Sequence, residues 1–240
     1  MEQILPTETW GFNFFLSPLA KRQSAGYRFI AGADNAVVTR RCNGSEPDTS
    51  TLTSAGNFRE VLVNMPTYCH VESNQPLLVA QYSLGHEYGG VNDIFADPFV
   101  TLIAPVGQFS DNYNIILVET VITHNIPRPV TFDPYLNLVI TNNCCRRNEI
   151  LYDGQPLPSS ISFTDIACTG GEVCGCAAQF HPSVSTGTHT LMHTRESCGI
   201  GATLYAYQYK SSYGSMAGTR LDSIAGTYIK PYAMNSMHIL

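Results

Sequence analysis

Positive charge is scarce in this chain: thirteen Lys+Arg stand against nineteen Asp+Glu, for a net charge of −6. The basic residues fall in short groups, Lys21-Arg22, Arg40-Arg41 and Arg146-Arg147. No stripe of them could neutralise a run of phosphates, which argues against nucleic acid as a partner. Each doublet reads more simply as ion-paired at a strand end. No apolar run approaches the roughly 20 residues that a membrane-crossing helix needs, so membrane insertion is not expected. Met1 to Pro6 lacks the basic segment and long apolar core of a secretory signal, so an exported chain is expected to be part of a longer precursor.

Catalytic signatures are missing as well. There is no Gly-x-Ser-x-Gly elbow and no spacing that gathers a nucleophile, a base and oxyanion donors, so the hydrolase reading is remote. Nor is there a phosphate-binding glycine loop with its lysine, which removes kinases and NTPases. The expectation is a protein that is not an enzyme and carries no cofactor.

Helical periodicity is scarce too, and Gly and Pro recur too often for long helices. Short apolar segments between polar turns point to antiparallel sheets. Candidate strands in the first half are Phe12–Leu16, Tyr27–Ala31, Asn35–Thr39, Phe58–Val63, Cys69–Glu72 and Leu77–Tyr82. The second series is Phe99–Ile103, Asn114–Glu119, Tyr135–Thr141, Ile150–Tyr152, Ser160–Phe163, His189–His193 and Ala202–Tyr209. Between the two series Ser83–Pro98, with Gly85, Gly89 and Gly90, reads as a linker. The expected fold is all-β, with two packed antiparallel β-sandwich-like lobes over 1–88 and 97–218 and an extension or extra edge element over 219–240. The segments Cys69–Tyr82 and His189–Tyr209 echo each other, each closing with Gln and Tyr, and either duplication or two common hairpins accounts for that.

Eight cysteines are present, and Asn43-Gly44-Ser45 directly after Cys42 is an N-glycosylation acceptor. Together they fit an oxidised extracellular module. Cys42 and Cys69 are the only cysteines before the linker and are expected to pair; closing their 27-residue separation contributes about 3–4 kcal/mol by chain entropy. Cys144, Cys145, Cys168, Cys174, Cys176 and Cys198 allow 15 complete pairings. The working expectation links Cys144 or Cys145 to Cys198 and pairs Cys168 within the Cys174-Gly175-Cys176 loop. Zinc held by that loop with Cys168, His181, His189 and His193 is the contrasting reading, but the paired Cys-x-x-Cys spacing of a structural site is missing, so no metal is expected. Asp153-Gly154 reads as a hairpin turn before it reads as a catalytic acid. His189 and His193 share a strand face and could form a proton-sensitive patch, though scattered surface histidines are the plainer account. His86-Glu87 and Asp93 in the linker read as solvated loop residues.

Tyr205, Tyr207 and Tyr209 share one face of the last strong strand, followed by Tyr213. They read as core or inter-lobe packing, with an aromatic contact surface as the functional alternative.

Gln75-Pro76-Leu77-Leu78-Val79-Ala80-Gln81-Tyr82 followed by Asp97-Pro98-Phe99-Val100-Thr101-Leu102-Ile103-Ala104-Pro105-Val106-Gly107-Gln108-Phe109 resembles the amino-terminal domain of the IgGFc-binding protein family. Leu5–Gly11, Leu151-Tyr152-Asp153-Gly154 and Tyr205–Gly214, with its Ser-Tyr-Gly turn, add to the resemblance, which spans residues 5–220 or so. It implies a secreted or mucus-associated setting in which this domain accompanies von Willebrand factor type D and cysteine-rich repeats. It also implies extracellular binding or adhesion without a catalytic centre. The partners to be expected are an extracellular glycoprotein or mucin-like protein, or a second copy through self-association. Immunoglobulin Fc is suggested by the family's name, but no local motif points to it.

Overall fold

The computed structural model describes residues 4–85, 96–118, 120–121, 130–182 and 186–220. Among these residues there is no α-helix; apart from 3-10 turns of three residues, all regular structure is antiparallel strand. The chain is all-β, in three antiparallel sheets plus a two-stranded ribbon.

The first sheet contains β1 (Gly11–Leu16), β2 (Ser24–Ala31), β3 (Ala36–Cys42), β4 (Asp48–Leu52), β5 (Phe58–Asn64), β6 (Cys69–Ser83) and β7 (Phe99–Ile103). Its spine is β6. The segments expected as two strands, Cys69–Glu72 and Leu77–Tyr82, are one strand that serves two sets of partners: β1 and β3 flank its first part, β2 and β7 its second. The change falls at Pro76, a residue with no N–H to give a ladder, whose carbonyl accepts from Gly32 N–H at 2.8 Å. β4 then extends β3, and β5 extends β2 and is an edge strand among the described residues. Phe99–Ile103 thus completes the first sheet although it follows the expected linker, most of which, with His86, Glu87 and Asp93, lies outside the described residues.

The remaining strands are β8 (Asn112–Leu117), β9 (Thr120–Val121), β10 (Val130–Thr131), β11 (Asp133–Thr141), β12 (Ile150–Tyr152), β13 (Gln155–Pro156), β14 (Phe163–Ala167), β15 (Val173–Phe180), β16 (Gly187–His193), β17 (Ile200–Gln208) and β18 (Ser211–Met216). β9 and β10 form the ribbon. The second sheet runs β14-β15-β11-β17-β18 and the third β13-β12-β16-β8.

The two-residue period of β11 shows how the layers stack. Leu136, Leu138 and Ile140 pack with Tyr113, Ile115 and Leu117 of β8, Ile150 and Leu191, an apolar core between the second and third sheets. The alternate residue Tyr135 joins Phe14, Tyr27 and Phe29 in the core toward the first sheet, and Val139 meets Phe15 and Phe109 on that same side. β17 repeats the pattern, with Ala202 and Leu204 in one core and Tyr205 and Tyr207 in the other. The second sheet is therefore a middle layer, buried on both faces, and the third is the outer one.

Three disulfides tie this arrangement together: Cys42–Cys69, Cys144–Cys198 and Cys145–Cys176. The first joins directly opposed residues of β3 and β6. The adjacent cysteines 144 and 145 follow β11 immediately, and each reaches toward a different neighbour of that strand: Cys176 lies on β15, and Cys198 just before β17. Cys168 and Cys174 carry free thiols. Of the two partners expected for Cys168 in the Cys174–Cys176 loop, Cys176 is bonded to Cys145, and Cys174 lies near Cys168 without a bridge to it.

Candidate binding surface and thiol cluster

The seam between the first and middle sheets is built around the loop after β1. Its carbonyls and amides have no ladder to join, and side chains take their place. Pro18 O accepts from Asn137 Nδ2 at 2.7 Å and Gln179 Nε2 at 3.0 Å, while Ala20 N–H donates to the Tyr205 hydroxyl at 2.8 Å. That hydroxyl donates to Asn137 Oδ1 at 3.0 Å and accepts from Gln179 Nε2 at 2.9 Å. On the first-sheet side, Ser17 O accepts from Tyr27 and Gln81, both at 2.8 Å. Burial pushes the Tyr205 phenol well above its ordinary range, so it stays neutral and able to donate.

Arg22, expected as a surface ion-paired residue, is buried here instead. It donates to Ser83 Oγ at 3.0 Å and to the carbonyls of Ala96 at 3.1 Å and Asp97 at 3.3 Å, with its guanidinium 4.9 Å from the centre of the Tyr207 ring. Of the other doublets, Arg40 does pair with Asp48, at 3.1 Å, and Arg146 with Glu149, at 3.4 Å.

Asn43 closes another part of the seam. Gly44, at φ +79°, turns the chain after β3, and Ser45 N–H bonds Cys42 O at 3.0 Å. The turn aims the Asn43 amide at the outer edge of the middle sheet, where Nδ2 donates to Asp165 O at 2.7 Å and Oδ1 accepts from Ala167 N–H at 3.0 Å. The side chain thus satisfies an edge strand as a neighbouring strand would. The nitrogen to which a glycan would attach is engaged in this contact.

Close by, the β14–β15 hairpin breaks the two-residue period. Ile166 pairs with Gly175 and Ala167 with Val173, leaving Cys174 as the extra residue of a bulge. Without the bulge, Cys174 and Cys176 would share a face. With it, Cys176 lies in the outer core while Cys174 packs on the side of Phe15, Val139 and Ala177. Gly175 is required, since a Cβ there would meet Ile140 O and the Phe15 ring at 2.7 Å. Cys168 sits in the hairpin turn, its N–H bonded to Glu172 O at 2.7 Å.

The result is a cluster of His70, Cys168 and Cys174 whose ligand atoms all lie within 4.8 Å of one another. His70 is buried on β6, with Thr169 N–H donating to its Nδ1 at 3.3 Å. Burial lowers its pKa, and burial together with the neighbouring Cys168 raises that of Cys174, so both the imidazole and the Cys174 thiol favour their neutral forms. His70 went unnoticed in the sequence because no short spacing links it to residues about a hundred positions away.

The histidines that the sequence did bring forward lie elsewhere. His181 Nε2 contacts Asp133 Oδ1, with its ring edge-on to Tyr135. His193 is buried against Cys144 O at 3.1 Å, and its Nδ1 accepts from Arg195 N–H. His189 is also buried, its Nδ1 2.7 Å from Asp153 Oδ2 and its ring stacked on Tyr152. They do not form a surface patch. Asp153 and Gly154, both at positive φ, form the β12–β13 turn. Burial works against the Asp153 carboxylate, but hydrogen bonds from His189 and Thr190 outweigh it and hold the pKa below the ordinary carboxylate range. The pair leads to no nucleophile among the described residues.

Of the four tyrosines, Tyr205 and Tyr207 are core residues, in keeping with the packing reading, and the contact-surface alternative is corrected for both. Because the middle sheet is covered on both sides, neither face of β17 is free. Tyr213 is half-buried, bonded to Val118 O at 3.2 Å, and only Tyr209 stands out, 66% exposed with Lys210 beside its ring.

An open groove of about 550 Å³ crosses the seam. Tyr68 of the first half lines it together with Tyr152 and Phe180, and Ser160, Gln179 and His181 are also in its wall. Aromatic faces interleaved with hydroxyl, amide and imidazole groups suit a neutral polyhydroxylated ligand, whose C–H faces stack on rings while its hydroxyls find donors and acceptors.

A family model described as IgGFc binding protein matches residues 1–206, which is most of the chain. No curated protein matches. A solved structure of Pleurotus ostreatus lectin in its apo form aligns at 10% identity over 86% of this chain and 74% of the lectin chain. Its TM-score is 0.22, too low to bear on fold or ligand.

Proposed function

We propose that this chain, which belongs to the IgGFc-binding protein family, is a non-catalytic extracellular module that binds glycoproteins of the mucin type. The observation that carries the partner class is the groove across the seam, with its rings from both halves of the chain and its hydroxyl, amide and imidazole lining. The three disulfides support an oxidising compartment. In this reading the first sheet, curled around β6 over residues 1–88 and completed by β7, is one lobe. The middle and outer sheets, within 97–218, are a β-sandwich forming the second; of the extension or edge element expected over 219–240, Thr219 and Arg220 reach Gln108 O, and 221–240 lie outside the described residues.

The test is binding of a mucin-type glycoprotein before and after enzymatic removal of its glycans, with an Fc fragment as a parallel arm. The groove reading expects binding that falls on deglycosylation and falls again with Tyr68→Ala. Equal binding with and without glycans, or no effect of Tyr68→Ala in a protein that retains its three bridges, overturns it.

A second reading, self-assembly, has its own support. Phe58 and Leu62 on the edge strand β5 are 55% and 65% exposed, and an uncovered apolar edge invites another strand. Light scattering over a concentration series separates the two: growth abolished by Leu62→Lys favours assembly, and a monomer throughout removes it.

A further inference from the structure

We propose that His70, Cys168 and Cys174 form a binding site for a divalent transition-metal ion of the zinc class, clasping the first sheet to the middle one. Six of the eight cysteines are bridged, and the two that are not converge, unbridged, on each other and on a buried imidazole. Their convergence depends on a specific backbone irregularity. The bulge at Cys174 gives up a ladder position and demands Gly175 behind it, and its consequence is to turn one sulfur from the outer core to the face where His70 lies. Bulges that re-aim a single side chain recur beside functional sites.

The donors come from three separate places: β6, the turn after β14, and the start of β15. Two sulfurs and one imidazole nitrogen form a soft set that selects zinc-like ions over magnesium or calcium, which prefer oxygen. Three protein donors leave one tetrahedral position for water. Binding is balanced by the release of two thiol protons to solvent, with no change of oxidation state. A Cys168–Cys174 disulfide is the competing fate of these thiols. It would close only a short hairpin that the Cys168 N–H to Glu172 O bond already closes, and would leave His70 outside the linkage. A metal engages all three groups and ties two sheets together, and thiolates held by zinc are shielded from oxidation.

The experiment uses the full chain, refolded so that the three existing bridges are formed and then titrated with Co²⁺ and with Zn²⁺. The expected result is one ion per chain by elemental analysis after gel filtration, with thiolate-to-cobalt absorption that zinc displaces. Cys174→Ser and His70→Ala should each weaken uptake by more than about tenfold, since even groups outside the coordination sphere are worth that much. Cys168→Ser provides an independent check if either variant misfolds, with retention of the three bridges by non-reducing peptide mapping as the criterion of folding. Recovery of a Cys168–Cys174 disulfide from protein refolded with zinc present overturns the proposal. So does sub-stoichiometric metal, or cobalt uptake unchanged in Cys174→Ser.

Discussion

The two faces of the middle sheet are packed by different chemistry, although they belong to the same strands. Toward the outer sheet, β11 offers Leu136, Leu138 and Ile140 to an apolar core, and two disulfides lie within that core. Toward the first sheet, the same strand offers Asn137, which with Gln179 and Tyr205 holds the loop after β1 through hydrogen bonds in which each partner has a defined atom. Asn43 and the His70 cluster lie along that second seam as well. Apolar packing is strong and tolerant of partner, whereas a buried polar network fixes one docking geometry and costs heavily when half-satisfied. The outer interface accordingly stabilises the second half by apolar packing and bridges, while the inner one adds to its own apolar core a polar network that sets how the two halves fit.

The sharpest test of that division is Leu138→Ala. Leu138 is fully buried in the outer core, so the substitution should cost about 2–5 kcal/mol in chemical denaturation. A loss under about 1 kcal/mol would mean the outer core is not what stabilises this half. Tyr205→Phe comes next. It leaves Ala20 N–H and the amides of Asn137 and Gln179 short of a partner, with an expected cost of about 1–3 kcal/mol and little change in apolar packing. A neutral result would show that solvent or a shift of the loop restores those bonds.

A smaller effect, about 1 kcal/mol, is expected for Asn43→Ala, which strips the amide from the edge of β14. Ser45→Ala removes the glycosylation signal and keeps that amide. Equal destabilisation by the two in protein from a glycosylating host would assign the role to a glycan instead. The smallest change concerns pH. The pKa of Asp153 is lowered by its bonds to His189 and Thr190, so its contribution is present above about pH 4 and fades as the carboxyl is protonated below. Asp153→Asn should therefore lower the Tm slightly at neutral pH, with the gap to the parent closing in acid.

Much of the strand pattern was legible from alternation and turn residues, and Phe99–Ile103 and Ile150–Tyr152 coincide with observed strands. β4, β15 and β18 were missed because Asp48–Leu52 is polar, Val173–Phe180 is rich in small residues, and Ser211–Met216 alternates serine with little that is apolar. The stacking order was harder to see. A strand covered on both sides loses the inside-outside contrast on which face assignment depends, so Tyr205 and Tyr207 read as core while a contact surface stayed open as the alternative. At the thiol cluster the obstacle was local. A period-two reading puts Cys174 and Cys176 on one face, and only the unseen bulge separates them and brings in His70.

Because β11 is hydrogen-bonded to β15 and β17 along its length and sealed above and below, its amides have no local route to solvent. Deuterium can reach Leu136–Ile140 only when all the layers come apart, whereas the edge strand β5 labels through small local openings. The exchange rate at the centre of the middle sheet is thus a built-in gauge of global unfolding, readable without denaturant and against which any clasp at the seam can be calibrated.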